Sequence, residues 1–170
     1  MVSVHKIHTI HEIEELSALA KIIFNEVYAQ HVSADHITNY LKVHQSPEAI
    51  SLQLEHNYTY YFIKREGRLI GYFALIYQGD FLELSKLYLK KRERGKGVGD
   101  YILEWIEDYA EDLDVKEIEL LVLRQNEAAI KFYQAHGFIL SELVSHHFET
   151  GDYEENYKMY KKIKVRTTFE

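Results

Sequence analysis

No cysteine occurs anywhere in the 170 residues, which excludes a disulfide framework and any thiolate metal site. Proline is almost absent, with Pro47 alone, and glycine is sparse at eight copies, so the elements should be closely joined. No apolar run approaches the ~20 residues needed to cross a bilayer. The opening Met1-Val2-Ser3-Val4-His5-Lys6 lacks the apolar segment of a secretory leader, and the expectation is a soluble, cytoplasmic protein without membrane contact. A basic excess is missing too. The formal net charge of −7 argues against a general binder of nucleic acid, which needs a cationic face to meet phosphates. What remains fits one globular domain over residues 1–170, long enough to bury a core. Tyrosine is frequent, with 14 copies, and most are expected at half-buried strand and helix positions.

Periodicity divides the chain. Val4 to Ile7 reads as a first strand. Thr9 and Glu12 form a Thr-x-x-Glu capping box ahead of Ile13, Leu16, Leu19, Ala20, Ile23 and Val27 at helical spacing. Ser33 can cap a second helix carrying Ile37, Tyr40 and Leu41. Ser46-Pro47 opens a third, with proline where its missing N–H costs nothing. The period then changes. Tyr58–Lys64, Arg68–Tyr77 and Phe81–Leu89 are strand-like and are separated by Glu66-Gly67 and Gln78-Gly79-Asp80 turns. After a glycine-rich loop, Ile102, Leu103, Ile106, Tyr109 and Ala110 mark an amphipathic helix. Ile118–Leu123 is nearly all apolar, the pattern of a strand covered on both faces. Asn126 can cap a helix through Ala129, Phe132 and Tyr133, which Gly137 ends. Leu140–Phe148 and Asn156–Ile163 close the chain as strands turning near Gly151-Asp152. The expected fold is α+β, a mixed and mainly antiparallel sheet of about seven strands with helices on both faces.

The loop carries the chemistry. Arg94-Gly95-Lys96-Gly97-Val98-Gly99 lies between a strand and the start of a helix. Glycines let the backbone approach a ligand and adopt positive φ. Helix-terminal N–H groups and the helix dipole favour an anion there. Arg92, Arg94 and Lys96 add positive charge. The dinucleotide fingerprint has a different glycine spacing and lies early in a βαβ unit, and the P-loop requires Gly-Lys-Ser/Thr, so neither applies.

With these residues in place, the chain resembles the GNAT acetyltransferase superfamily over nearly its whole length. One part of the resemblance is Leu87-Tyr88-Leu89, a four-residue gap, then Arg94 to Gly99 and an amphipathic helix. The family's Arg/Gln-x-x-Gly-x-Gly pattern can be read from Arg92 or from Arg94. The other part is Asn126 to Phe138, similar to the family's Asn-x-x-Ala-x-x-x-Tyr-x-x-x-Gly-Phe segment. The resemblance implies acetyl-CoA as co-substrate and no metal. The implied CoA contacts are Leu87, Tyr88, Leu89, Arg94, Gly95, Lys96, Gly97, Val98, Gly99, Asp100, Asn126, Ala129 and Tyr133. The loop would hold the pyrophosphate, and the pantetheine arm would lie like an added strand between two splayed strands. A backbone N–H there would stabilise the oxyanion.

The implied reaction is direct acyl transfer to an amine. Tyr133 matches the family's general acid toward the departing thiolate, although packing on its helix face also accounts for it. The attacking amine must be neutral, and near the lysine pKa only roughly one in a few thousand is so at pH 7. Glu83 is the candidate base, six residues before Leu89, where some members carry a glutamate. Strict alternation puts it on the face of Ser85, Leu87 and Leu89. A solvent-facing glutamate with waters in its stead is the alternative.

Histidine pairs His8/His11 and His146-His147 lack acidic companions at ligand spacing, and adjacent strand histidines point to opposite faces. The basic end Lys161-Lys162 and Lys164-Val165-Arg166 reads as solvated. For the acceptor, Glu26 and Tyr28, together with Glu83, are the candidate substrate contacts, with His31, Asp35 and the Ser145–Phe148 stretch nearby in the pattern. Phe24–Leu41, Ser145–Asp152 and Tyr157-Lys158-Met159 are similar to the bacterial PaiA-type polyamine acetyltransferases, which implies spermidine- or spermine-like amines. The expected partner is a small-molecule amine, with a homodimer left open. Acetylation of a protein α-amine or lysine, or a CoA-binding regulatory role, are the alternative readings.

Overall fold

A computed structural model describes residues 1–164; Val165 and Arg166 of the basic end lie outside the described residues. Seven strands form one sheet in the order β1-β2-β3-β4-β5-β7-β6. In chain order these are β1 (Val2–Lys6), β2 (Tyr58–Arg65), β3 (Arg68–Tyr77), β4 (Phe81–Leu89), β5 (Glu117–Leu123), β6 (Ile139–His147) and β7 (Tyr153–Lys162). Neighbours are antiparallel except β4 and β5. The helices are α1 (Ile10–Tyr28), α2 (Ala34–His44), α3 (Pro47–Leu54), α4 (Val98–Asp112) and α5 (Glu127–Ala135). No helix among the described residues is long and apolar enough to cross a membrane.

Local signals set the helix starts. Thr9 and Glu12 form the reciprocal capping box of α1. Ser33, Ser46 and Asn126 cap α2, α3 and α5 through their side chains. Strand ends depend on partners instead. β1 begins two residues earlier than alternation alone indicates, because Val2 and Ser3 find Arg65 and Lys64 on β2. β7 likewise starts at Tyr153, where His147 of β6 pairs with it.

Alternation along the central strands builds two cores. Tyr60, Phe62, Tyr72 and Ala74 face α1 and α3 and meet Leu16, Ala20 and Ile23. Tyr61, Ile63, Phe73 and Leu75 face the other way, onto Ile102, Leu103 and Ile106 of α4. Each such large side chain contributes about 1.5–3 kcal/mol by leaving water. β5 departs from the expectation of two covered faces. Ile118, Leu120 and Val122 are buried, but Leu121 is 57% exposed. The α1 side of the sheet is open at that point, and a cavity begins there.

A buried polar network fixes α1–α3 to the sheet. Gln45, just after α2, donates from Nε2 to the Tyr60 hydroxyl at 3.0 Å, and its Oε1 accepts from Tyr72 at 2.8 Å. Its backbone carbonyl accepts from Ser17 of α1 at 2.7 Å, and Tyr60 donates on to Gln53 of α3. Fully satisfied, such a network specifies one helix arrangement; with a member missing, the stranded partners cost about 1–3 kcal/mol each.

Gly71 of β3 sits against the backbone of β4. A β-carbon there would collide with the Tyr88 carbonyl oxygen and lie 3.1 Å from the Leu89 α-carbon. Both obstacles are main chain and cannot swing aside. Gly71→Ala is therefore expected to lower unfolding stability by about 1–3 kcal/mol in urea titration. An unchanged midpoint would show that β3 and β4 are not held this closely.

Candidate active site

The ladder between β4 and β5 is short. It pairs Phe81–Leu84 with Glu117–Leu120 and then stops, although both strands continue. At that point β4 carries an extra residue. Leu84 faces Leu75 and Lys86 faces Ala74, leaving Ser85 as a bulge. A bulge bends and twists its strand, which directs β4 away from β5. Ser85–Leu89 thus lie beyond the last β4–β5 pair.

The bulge corrects the alternation expected for Glu83. Glu83 pairs with Ile76, Lys86 with Ala74 and Tyr88 with Tyr72, so these three β4 residues share the α1 face. Leu87 and Leu89 pack on the opposite core with α4. Glu83 therefore faces the cavity with Lys86 and Tyr88 on its side of the sheet, and not with Leu87 and Leu89.

The cavity holds about 190 Å³ and opens where the two strands part, between Ser85 and Tyr88 of β4 and Leu121 of β5. Its aromatic wall comes from α1, α2 and β4. The Phe24 ring lies 5.0 Å from Tyr28, 5.0 Å from Tyr40 and 5.1 Å from Tyr88, centre to centre. The Tyr28 and Tyr88 hydroxyls are hydrogen-bonded at 2.9 Å. Burial pushes the Tyr28 phenol up to about 12, so it stays protonated at neutral pH. Polar lining comes from Glu83, from His36 of α2 and from Glu154 of β7, the last two joined at 2.9 Å. Among the described residues, none that lines the cavity is lysine or arginine.

Three ionisable groups of β4 are perturbed, and burial holds the Tyr88 hydroxyl well above the usual tyrosine range. Burial raises the Glu83 carboxyl above its ordinary value; Lys86 opposes that, and the cross-strand neighbour Glu119 adds to it. Lys86 is only 7% exposed, and burial pushes its ammonium down to about 8 against the pull of Glu83. Lys86 donates to Ser85 Oγ at 3.0 Å and lies 5.9 Å over the Tyr58 ring.

At the other end of β4, a 3-10 turn at Lys91–Glu93 leads into the glycine run. Gly95 and Gly97 have φ of 73° and 82°, a region where only glycine is unstrained. Gly97 caps α4 without any side-chain bond. The first intrahelical bond runs from the Tyr101 amide to the Gly97 carbonyl. The amides of Val98, Gly99 and Asp100 thus precede the helical ladder at the positive end of the dipole. Arg94 and Lys96 are exposed beside them. Gly99 serves packing: a β-carbon there would lie 2.8 Å from the Phe132 ring of α5. This uncapped, glycine-lined helix start with two adjacent cations fits a phosphate group.

The remaining sequence candidates fall in several places. Glu26 is not among the cavity residues; its carboxylate accepts from the Lys91 amide at 3.1 Å and lies 3.5 Å from Arg94, bracing the loop. Asp100 is engaged with His136 at 2.6 Å, joining α4 to the end of α5. The Asn126 side-chain Oδ1 accepts from the Ala129 amide at 3.2 Å, and Ala129 packs on the core. Tyr133 is buried, and burial holds its hydroxyl well above the usual tyrosine range, with Tyr28 adding to the shift. His31 and Asp35 are exposed. No group of three or more potential metal ligands occurs among the described residues.

The sequence does not single out His36, Lys86 or Glu154, and it marks Tyr40 only as a packing residue of α2. For His36 a signal existed. It stands four residues before Tyr40 and one before Ile37, inside the apolar stripe of α2. Glu154 has no local signal, because only the β6–β7 pairing carries it to the cavity.

The family model described as acetyltransferase (GNAT) matches residues 21–138. An uncharacterised N-acetyltransferase of Lactobacillus delbrueckii subsp. lactis is 28% identical over 114 residues, covering 62% of this chain and 65% of the relative. One of Mycobacterium tuberculosis is 32% identical over 95 residues, covering 55% and 59%. Both alignments span less than two thirds of the relative's own length. The fold is shared with a PaiA N-acetyltransferase from Thermoplasma acidophilum in complex with coenzyme A. That structure has a TM-score of 0.77 at 23% identity, covering 95% of this chain and 99% of that one. It is shared also with the ribosomal-protein-S18-alanine N-acetyltransferase of Escherichia coli, with a TM-score of 0.74 at 16% identity over 98% and 97% of the two chains. With its glycine run at the head of α4, its parted β4 and β5, and the match over residues 21–138, the chain belongs to the GNAT family of acetyltransferases.

Proposed function

We propose that the protein transfers the acetyl group of acetyl-CoA to a small, linear primary amine of the polyamine type. The observation that carries this reading is the cavity beside the parted strands. It combines two carboxylates and four aromatic rings, without a lysine or arginine in its lining among the described residues. Aromatic faces and carboxylates attract an ammonium group. At about 190 Å³ the cavity is below the roughly 300–1,000 Å³ of sites for drug-sized ligands, which favours a slim alkyl chain over a folded peptide. The likeness of Phe24–Leu41 and Ser145–Asp152 to PaiA-type enzymes points the same way.

The residues divide the work as follows. The amides at the start of α4, with Arg94 and Lys96, hold the pyrophosphate. The stretch of β4 beyond Leu84 offers main-chain groups to the pantetheine arm, and one N–H donates to the acyl oxygen as charge develops there. Acetyl-CoA supplies the acyl carbonyl. Glu83 takes a proton from the incoming ammonium, directly or through water, so that the nitrogen lone pair can form the new C–N bond. As the C–S bond breaks, Tyr133, still protonated because of its burial, donates its proton to the sulfur, and the second proton that the nitrogen sheds in becoming an amide returns through water to the tyrosine oxygen.

Purified protein incubated with acetyl-CoA and a panel of polyamines, monoamines, amino acids and peptides should release CoA thiol with polyamines above all. Turnover of peptides alone would replace this reading with protein acetylation, and tight CoA binding with no turnover at all would leave a CoA-binding regulator. Tyr133→Phe should lower kcat by about a hundredfold while CoA affinity, measured by calorimetry, stays nearly unchanged; parallel loss of both would remove the acid role. Gly97→Asp, placing a carboxylate at the helix start in a strained backbone region, should abolish CoA binding, and retained affinity would overturn the loop assignment. Glu83 must be ionised to act as base, so kcat/KM should fall as pH drops through its raised pKa. Lys86 lowers that pKa, so Lys86→Met should move the acid limb of the profile to higher pH. An unmoved limb would assign it to another group.

A further inference from the structure

His36 is 2% exposed and lines the cavity, yet only one of its ring nitrogens has a partner. Nε2 lies 2.9 Å from Oε1 of Glu154. Nδ1 is buried with no hydrogen-bond partner among the described residues. In the neutral ring the carboxylate at Nε2 requires the hydrogen there, which leaves Nδ1 as a lone-pair acceptor. A buried acceptor without a donor is costly and uncommon, so each one calls for an explanation. The structure shows one use for this ring, which is to hold the Glu154 carboxylate at the cavity wall through Nε2.

The position of the pair matters as much as its chemistry. Glu83 stands on β4 and Glu154 on β7, with β5 between them. Their strands are two spacings apart, and through β5 the β7 residue level with Glu83 is Tyr160, so Glu154 also lies roughly 20 Å further along the strands. One carboxylate thus stands by the opening between β4 and β5. The other stands at the far wall, held by α2, with the aromatic rings between. A cation at each end and an apolar chain along the rings would match that layout.

We propose that His36 and Glu154 form a distal anchoring site that takes the second amine of a linear diamine or longer polyamine and thereby fixes which nitrogen is presented to Glu83. The ammonium donates to the Glu154 carboxylate, which His36 holds at the wall through Nε2, while its alkyl chain runs past Phe24, Tyr28 and Tyr40. The proposal rests on the acetyl-transfer reading above and adds the residues that recognise the rest of the acceptor. α2 is also tied to the β6–β7 hairpin from outside the cavity, by Ser33 donating to Asp152 at 2.8 Å. That second tie provides a control for simple loosening of the hairpin.

The test compares 1,8-diaminooctane, long enough to reach from Glu83 toward Glu154, with octylamine as acceptors for the wild type, Glu154→Gln, His36→Gln and Asp152→Asn. Glu154→Gln, which removes one charge-assisted hydrogen bond, should reduce kcat/KM for the diamine at least about tenfold more than for the monoamine, and His36→Gln, which frees that carboxylate from its position, should shift the same ratio in the same direction. Asp152→Asn should affect both acceptors equally. Equal losses for the two acceptors in the Glu154 and His36 variants would overturn the anchoring site while leaving acetyl transfer intact. The same discrimination arising in Asp152→Asn would overturn it as well, by assigning the effect to the hairpin. Failure of the wild type to acetylate any amine would sink the function proposed above. The anchoring site would then be read from calorimetry of 1,8-diaminooctane binding: weakening of tenfold or more in Glu154→Gln supports it, and absent or unaltered binding overturns it.

Discussion

β4 carries one residue too many at Ser85, and its ladder with β5 ends one step before, at Leu84–Leu120. The rest of the site depends on that irregularity. Without it the sheet would close over the gap, and main-chain groups from Ser85 to Leu89 would be taken up by β5. With it the sheet stays continuous below and open above. The bulge also resets the side-chain alternation, so that Glu83, Lys86 and Tyr88 look toward α1 while Leu87 and Leu89 still serve the core under α4. Continuous packing on one face and a polar, aromatic recess on the other come from the same added residue.

The recess is a balance of burial and charge. Glu83 and Lys86 are each driven toward neutrality by burial, and each is held nearer its charged form by the other. The tyrosines around Phe24 keep their protons and offer ring faces and hydroxyls instead of charge. Gln45 and its partners set α1–α3 on the sheet beneath them, so the aromatic wall rests on a hydrogen-bonded foundation and not on apolar contact alone.

Much of the fold was legible in the sequence because its signals are local. Thr9 with Glu12, Ser33, Ser46-Pro47 and Asn126 each act within one helical turn, and the glycines from Gly95 to Gly99 act within one loop. The expected α+β sheet of seven strands with helices on both faces follows from such local units and their order. The side of the sheet on which Glu83 lies was not legible, since a bulge answers to the neighbouring strand and leaves the local pattern unchanged. Glu26 was read as an acceptor contact from its charge and place on α1, whereas its position relative to the Lys91 amide depends on how α1 lies across β4. Fourteen tyrosines read as packing residues concealed the few that converge on one cavity, because convergence belongs to the tertiary arrangement.

The tie between His36 and Glu154 joins residues 118 positions apart in the chain. Contacts between such distant residues carry a large loop-closure entropy and form only once intervening segments have been ordered. The far wall of the recess is accordingly a late product of folding, completed after α2, the central strands and the terminal hairpin have met. A nascent chain lacking β7 would possess the glycine loop and the aromatic cluster but no closed recess, and would have nothing with which to grip both ends of an acceptor. Conversely, any molecule held between α2 and β7 draws its binding energy from the complete native state alone, so occupancy at that wall protects the whole chain against unfolding.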